Sequence, residues 1–214
     1  LKKIARIAEF RYMECRSCTM TKLQELKRHL RPGKVYRRED LAQWSSSVDR
    51  HLQQLVAEGY LTKISTGVYH RPKQTAFGKA PAEDSALVEA FLKDDRYLIT
   101  SPNAYNSLGV GATQLYNKTV VYNHKRHGNF TLGGREFRFR KKPAFPKTLT
   151  KEFLLVDLVN NLDDLAEDHQ QVLDHVKERA LQSNRNTLAR AAKDYGMVRT
   201  RKFFSALAAD AHAG

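Results

Sequence analysis

Two groups of side chains in this 214-residue sequence are of types that grip nucleic acid, and a third has the spacing of a half metal site. The first group is Ser46, Ser47, Arg50, Gln53 and Gln54, whose donors and acceptors suit base edges and phosphates. They fall opposite Val48, Leu52, Leu55 and Val56, which recur at helical spacing and must face a core. Arg37 and Arg38 before this helix, and Lys63 and Arg71 after it, join the same DNA-facing set, the last two placed for flanking phosphates or a minor groove. The second group is Arg135, Arg138, Arg140 and Lys141. Arginine is favoured where phosphate or carboxylate is held by two parallel hydrogen bonds. Alternation with Phe137 and Phe139 gives that strand one apolar and one cationic face. The third group, Cys15-Arg-Ser-Cys18, has C-x-x-C spacing, but a structural zinc needs four ligands and no second pair follows. No metal and no cofactor are expected.

The elements that must position the first group read as a winged helix-turn-helix. Thr21 to Leu30 is a helix with Leu23, Leu26 and Leu30 on one side, stopped by Pro32-Gly33. Leu41, Ala42 and Trp44 turn inward from a second helix, and a polar break at Ser45 to Ser47 leads into the third. Ser46 and Asp49 have capping-box spacing, and Gly59 suits a left-handed helix end. Tyr60 to Ile64 and Val68 to His70 then flank Ser65-Thr66-Gly67 as a small hairpin. That order puts one helix in a major groove. The same module can serve as a protein-docking platform instead.

The fold class expected is α+β: a winged helix-turn-helix over 1–73, also taking in a helix at Lys2 to Glu14, a linker over 74–83, and a small α/β domain with C-terminal helices over 84–214. In the last of these, Ser85 to Leu92 is a helix, Tyr97 to Thr100 a short strand, and Ser101-Pro102 the start of another helix that ends at Gly109. Thr119 to Tyr122 is β-branched, and Gly133-Gly134 turns a hairpin between Asn129 to Leu132 and Glu136 to Phe139. The Phe side of that hairpin should pack on the apolar stripe from Phe153 to Val159, leaving the Arg side to solvent or a partner. Helices follow at Leu165 to Leu181, at Thr187 to Tyr195 and around Phe203 to Ala209.

Charge distribution favours a polyanionic partner. The net formal charge is +14, with residues 1–73 and 118–151 each at +9 and the two intervening and trailing stretches each at −2. Two separated basic blocks argue for polyanion contact, since each neutralised phosphate releases a counterion, although a solvated hairpin face accounts equally well for the second. No apolar run reaches the ~20 residues of a bilayer span. Two cysteines are too few for a disulfide framework, so a cytoplasmic location without membrane attachment is expected.

GKVYRREDLAQW, VDRHLQQLVAEGYLTKISTGVYHRP, TSPNAYNSLGVGATQLYNKTVVYNH and GNFTLGGREFRFRKKP together resemble the AbiEi-type antitoxins of type IV toxin–antitoxin systems, over roughly Leu23 to Leu162. The resemblance implies a bacterial repressor that binds double-stranded operator DNA and autoregulates its operon. It also implies a second domain that neutralises a nucleotidyltransferase-like toxin, often without a stable complex. Helices after Asp163 match the family less well.

An enzyme is not expected. The alternative is a nucleic-acid-processing enzyme using the winged helix to dock substrate, which would need clustered carboxylates for metal. From Lys118 to Lys151 the only acid is Glu136. Asp163, Asp164, Glu167 and Asp168 read as an acidic helix start, and His169 and His175 as surface residues. Gly109-Val-Gly111 lacks the third glycine of a dinucleotide loop.

Overall fold

The computed structural model describes residues 21–110 and 116–213. The expected helix at Lys2 to Glu14, the Cys15–Cys18 pair and Gly111 lie outside them. The chain divides into two compact units, Leu1–Ala82 and Glu83–Gly214. Both mix helices with small sheets, so the fold is α+β.

In the N-terminal unit, Thr21 and Gln24 form a reciprocal capping box that starts α1 (Lys22–His29). Next come β1 (Val35–Arg37), α2 (Arg38–Leu41) with a 3-10 turn at Ala42–Trp44, and α3 (Val48–Ala57). β2 (Thr62–Ser65) and β3 (Val68–His70) complete an antiparallel sheet in the order β1-β3-β2. Leu26, Leu30, Leu41, Val48, Leu52, Leu55 and Leu61 form the core, with Tyr36, Trp44 and Tyr60 half-buried around it. Each fully buried leucine stabilises the unit by roughly 1.5–3 kcal/mol. Gly59, at φ 67°, reverses the chain after α3, and Tyr60 N–H donates to Leu55 O at 2.9 Å.

Three expectations fail here, the first being Ala42, which is exposed and not turned inward beside Leu41. α3 lacks the Ser46–Asp49 capping box: Ser47 is its N-cap and makes no side-chain cap bond. Ser45 closes the turn instead, its hydroxyl accepting from Ser47 N–H (3.2 Å) and pairing with the buried His51 Nδ1 (2.8 Å). The segment 74–83 is also more than a linker. It holds a hairpin, β4 (Gln74–Thr75) and β5 (Gly78–Lys79), tied to the end of α3 by Lys79 Nζ donating to Gly59 O at 2.8 Å.

The C-terminal unit runs α4 (Asp84–Leu92), β6 (Tyr97–Thr100), a 3-10 helix (Pro102–Leu108), β7 (Thr119–Asn123), β8 (Gly128–Leu132) and β9 (Arg135–Lys141). After these come α5 (Lys151–Asn160), a 3-10 turn (Leu162–Asp164), α6 (His169–Leu181), α7 (Arg185–Tyr195) and α8 (Val198–Ala213). The strands form one mixed sheet, β6-β7-β9-β8, in which β7 and β9 are parallel and the other pairs antiparallel. α6 begins at His169 and not at Leu165, because Leu162–Asp164 make their own turn and Asp168 caps the helix by accepting from Gln171 N–H at 2.8 Å.

Register decides which side chains share a face. Phe137 and Phe139 lie on the side of α4, where Phe91 meets Phe139 at 5.3 Å and Phe130 at 5.0 Å between ring centroids. Leu98, Tyr122 and Arg140 occupy one row of the opposite side, and Thr100, Val120 and Arg138 the next. That side meets α5, with Tyr122 edge-on to Phe153. The expected orientation is therefore reversed: the Phe face packs on α4, and the Arg face lies toward α5. α5 itself is buried at every position from Phe153 to Asn160. Its pattern is apolar nearly all round, the mark of a helix wrapped on all sides.

Candidate nucleic-acid interface

On α3 the helical period separates two jobs. Val48, His51, Leu52 and Leu55 are buried, while Ser46, Ser47, Arg50, Gln53 and Gln54 are exposed, as is Lys63 on β2. Gln54 Nε2 donates to Glu58 one turn on (2.9 Å), so its amide is partly engaged. Arg50 has no hydrogen bond or ion pair among the described residues. The β2–β3 turn is fixed to α2 by Arg38 N–H donating to Gly67 O at 2.8 Å, which holds the hairpin beside the helix pair. Gly67 supplies the positive φ of 73° that this turn needs.

Three of the proposed cations are held by the unit itself. Arg37 Nε donates to Asp40 at 2.9 Å, and Arg38 donates to both carboxylate oxygens of Asp49, at 2.6 and 2.5 Å. The guanidinium holds the Asp49 carboxyl below the ordinary carboxylate range. Arg71 does not point outward: it donates to Leu30 O and lies over the Tyr60 ring at 4.5 Å. This makes Arg71 a strut between the sheet and the end of α1, because a half-buried guanidinium needs those partners.

The second basic block is arranged differently. Arg138 and Arg140 meet the same carboxylate, Asp164, at 3.5 and 2.5 Å. Arg135 pairs with Asp84 at 2.5 Å, and Lys141 is exposed. The Arg138–Arg140 face is thus not free for solvent, because Asp164 on the turn after α5 already lies on it, whereas Arg135 and Lys141 fall on the Phe137–Phe139 side of the strand. Below it Asp157 of α5 is completely buried, accepting from Tyr105 (2.9 Å), Tyr122 (2.8 and 2.9 Å) and Lys142 (2.9 Å). Asn161 Nδ2 donates to both tyrosine oxygens, at 3.2 and 3.1 Å. Burial, reinforced by the Asp157 charge, raises the Tyr105 and Tyr122 hydroxyls well above their usual range. A small cavity of about 30 Å³ opens beside this network, with Thr100, Lys118, Tyr122, Arg138, Arg140 and Asp164 on its walls.

Sequence reasoning did not find this network. One signal was present: Asp157 interrupts an apolar helix, and a carboxylate there must be paired. The acids after α5 also divide their work. Asp164 takes the two arginines, Asp163 takes Arg199 at 2.8 Å, Glu167 accepts from Tyr116 at 2.8 Å, and only Asp168 caps a helix. His175 is half-buried, not a surface residue. No group of three or more His, Cys, Asp or Glu side chains comes together as a metal site among the described residues. Among those residues, no helix is long and apolar enough to cross a membrane.

Comparison with known proteins places these surfaces in context. A family of unknown function, DUF6088, matches residues 22–188. The chain belongs to that family. The matched span takes in α3, the β2–β3 turn and the Asp157 network, and stops before α8. No curated protein matches the sequence. A crystal structure of the RV2827C protein from Mycobacterium tuberculosis is similar over 86% of this chain and 74% of that one, at 15% identity and a TM-score of 0.54. At that identity the likeness extends to the fold alone.

Proposed function

We propose that this protein binds double-stranded DNA through its N-terminal unit, used as a winged helix-turn-helix with α3 as the recognition helix. The observation that carries the reading is the division of α3. One side closes the leucine core, and the other offers hydroxyl, amide and guanidinium groups with no acid at its centre. In this reading the β2–β3 hairpin would serve as the wing, with Lys63 exposed on β2. Arg50 and Gln53 would read base edges, with Gln54 beside them, while Ser46, Ser47 and Lys63 would hold phosphates.

The test is duplex binding by the full chain at several salt concentrations, first with a random pool and then with sites selected from it. Arg50→Ala should weaken the selected site by about 1–3 kcal/mol and random duplex much less. Lys63→Ala should weaken all sequences and reduce the salt slope by about one. Equal losses on both DNAs for Arg50→Ala would mean that another face reads the sequence. Binding that ignores salt would remove the reading altogether.

The resemblance to AbiEi-type antitoxins extends this proposal to a repressor of its own operon that counters a nucleotidyltransferase-like toxin. Its test is rescue: co-expression with such a toxin encoded beside it should restore growth, and should still do so with Arg50→Ala. Failure of rescue with DNA binding intact would leave a repressor without an antitoxin role.

A further inference from the structure

The cavity of the C-terminal unit carries charge and hydrogen-bonding capacity that its own residues do not use up. Across the sheet Thr100, Val120 and Arg138 stand in one row and Tyr122 and Arg140 in the next, so all of them face the same space. Lys118, at the start of β7, adds a third cation to the wall. Asp164 is the one carboxylate lining the cavity among the described residues, which leaves these walls at a net charge of about +2. The neighbouring Lys142–Asp157 pair cancels itself and does not alter that balance. Thr100 is buried at 6% exposure, and its hydroxyl has no hydrogen-bond partner among the described residues. A buried hydroxyl left so is uncommon and points to a group that completes it.

Asp164 shows what kind of group fits. Its two oxygens span Arg138 and Arg140, the geometry by which guanidinium groups grip a planar or tetrahedral oxyanion. It stands on a three-residue turn with its side chain 41% exposed, so it can leave without disturbing a helix. We propose that this cavity is a binding site for the dianionic phosphate of a phosphate monoester, with Asp164 as the internal occupant that the ligand displaces. A dianion matches the surplus charge better than the single charge of a backbone diester. The open space, about 30 Å³, is room for one or two waters, so the phosphate takes the place that the Asp164 carboxylate vacates and the rest of the ligand lies outside. The site is separate from the α3 face and does not depend on the DNA-binding reading.

Isothermal titration of the full chain tests it, with inorganic phosphate, a nucleoside 5′-monophosphate and a 5′-phosphorylated single-stranded oligonucleotide as probes, each organic probe set against its dephosphorylated form. Asp164→Asn should tighten phosphate binding about fivefold by removing the competitor. Arg138→Gln with Arg140→Gln should weaken it at least about tenfold, the loss of two charge-assisted bonds. Thr100→Val, close in shape, should weaken it about threefold. Arg50→Ala should leave it unchanged. Tighter binding of the mononucleotide than of the oligonucleotide identifies a small-molecule ligand, and the reverse identifies a nucleic-acid end. No gain in Asp164→Asn, or unchanged affinity in a folded double-Gln variant, overturns the site. Should the double variant fail to fold, Asp164→Asn and Thr100→Val decide alone.

Discussion

On α3 the Arg50 guanidinium stands clear of any carboxylate among the described residues, whereas on β9 those of Arg138 and Arg140 close on Asp164. Both regions belong to sequence blocks of net charge +9. Helical spacing puts the polar residues of α3 outside a finished core, where Arg50 meets no carboxylate among the described residues and Gln54 only Glu58. Strand alternation puts those of β9 on a second inner face, because the sheet is covered on both sides. A count of charge along a chain therefore measures attraction to a polyanion only where the opposite acids are far away. In the C-terminal unit Asp164 arrives from the turn after α5, and Asp84 from the start of α4.

The sharpest way to break this contrast is Asp157→Ala. It strands Lys142 and two tyrosine hydroxyls in a buried site and should cost about 3–5 kcal/mol in urea denaturation of the full chain. The loss should fall on the C-terminal unit, with duplex affinity unchanged. A silent Asp157→Ala would mean that this polar face is not part of the unit's framework. Arg71→Ala comes next, with a loss of about 1–2 kcal/mol of stability from the bond to Leu30 O and the Tyr60 contact. Its salt slope for DNA should stay unchanged, unlike that of Lys63→Ala; a drop of about one would return Arg71 to the phosphate-contacting set.

A third effect is set by pH. Tyr105 and Tyr122 have folded-state ionisations raised above the ordinary value near 10. Their contribution is complete below that value and is lost as pH climbs past it, since the unfolded chain ionises first. The C-terminal unit should melt at a falling temperature from about pH 10 upward, and Tyr105→Phe should blunt that slope. The smallest expected effect is Asp49→Asn. Its carboxyl is depressed by Arg38, so the bridge is present at neutral pH and lost as pH falls through the carboxyl range. On an exposed surface the thermal midpoint should scarcely move. Affinity for random duplex should rise, because one acid is gone and Arg38 is released; no rise would place Arg38 away from the DNA.

Much of the architecture was legible from periodicity. The helices α1, α3, α4 and α7, the β2–β3 and β8–β9 turns and the left-handed Gly59 all follow from local patterns, as does the exposed set on α3. What escaped depends on partners far along the chain. The parallel pairing of β7 with β9 sets which side of β9 meets α5, and no property of REFRFRK contains that information. The destinations of Arg38, Arg71 and Asp49 are likewise tertiary: each meets a partner 11 to 41 residues away. The Asp157 network draws on partners 15, 35 and 52 residues upstream.

Those three separations share a direction: Lys142, Tyr122 and Tyr105 all precede Asp157. During synthesis the whole sheet emerges before the helix that roofs one of its faces. At about 5–20 residues per second, the 19 residues from the end of β9 to the end of α5 take roughly 1–4 s to follow. For that interval Leu98, Tyr122 and the cationic row stand open to water, to chaperones and to other nascent chains. A chain halted between β9 and α5 should be captured by a holdase or aggregate, while one released beyond α5 should not. Ribosome-stalled chains whose emerged part ends on either side of Lys151–Asn160 would show whether α5 is the point at which the nascent chain becomes safe.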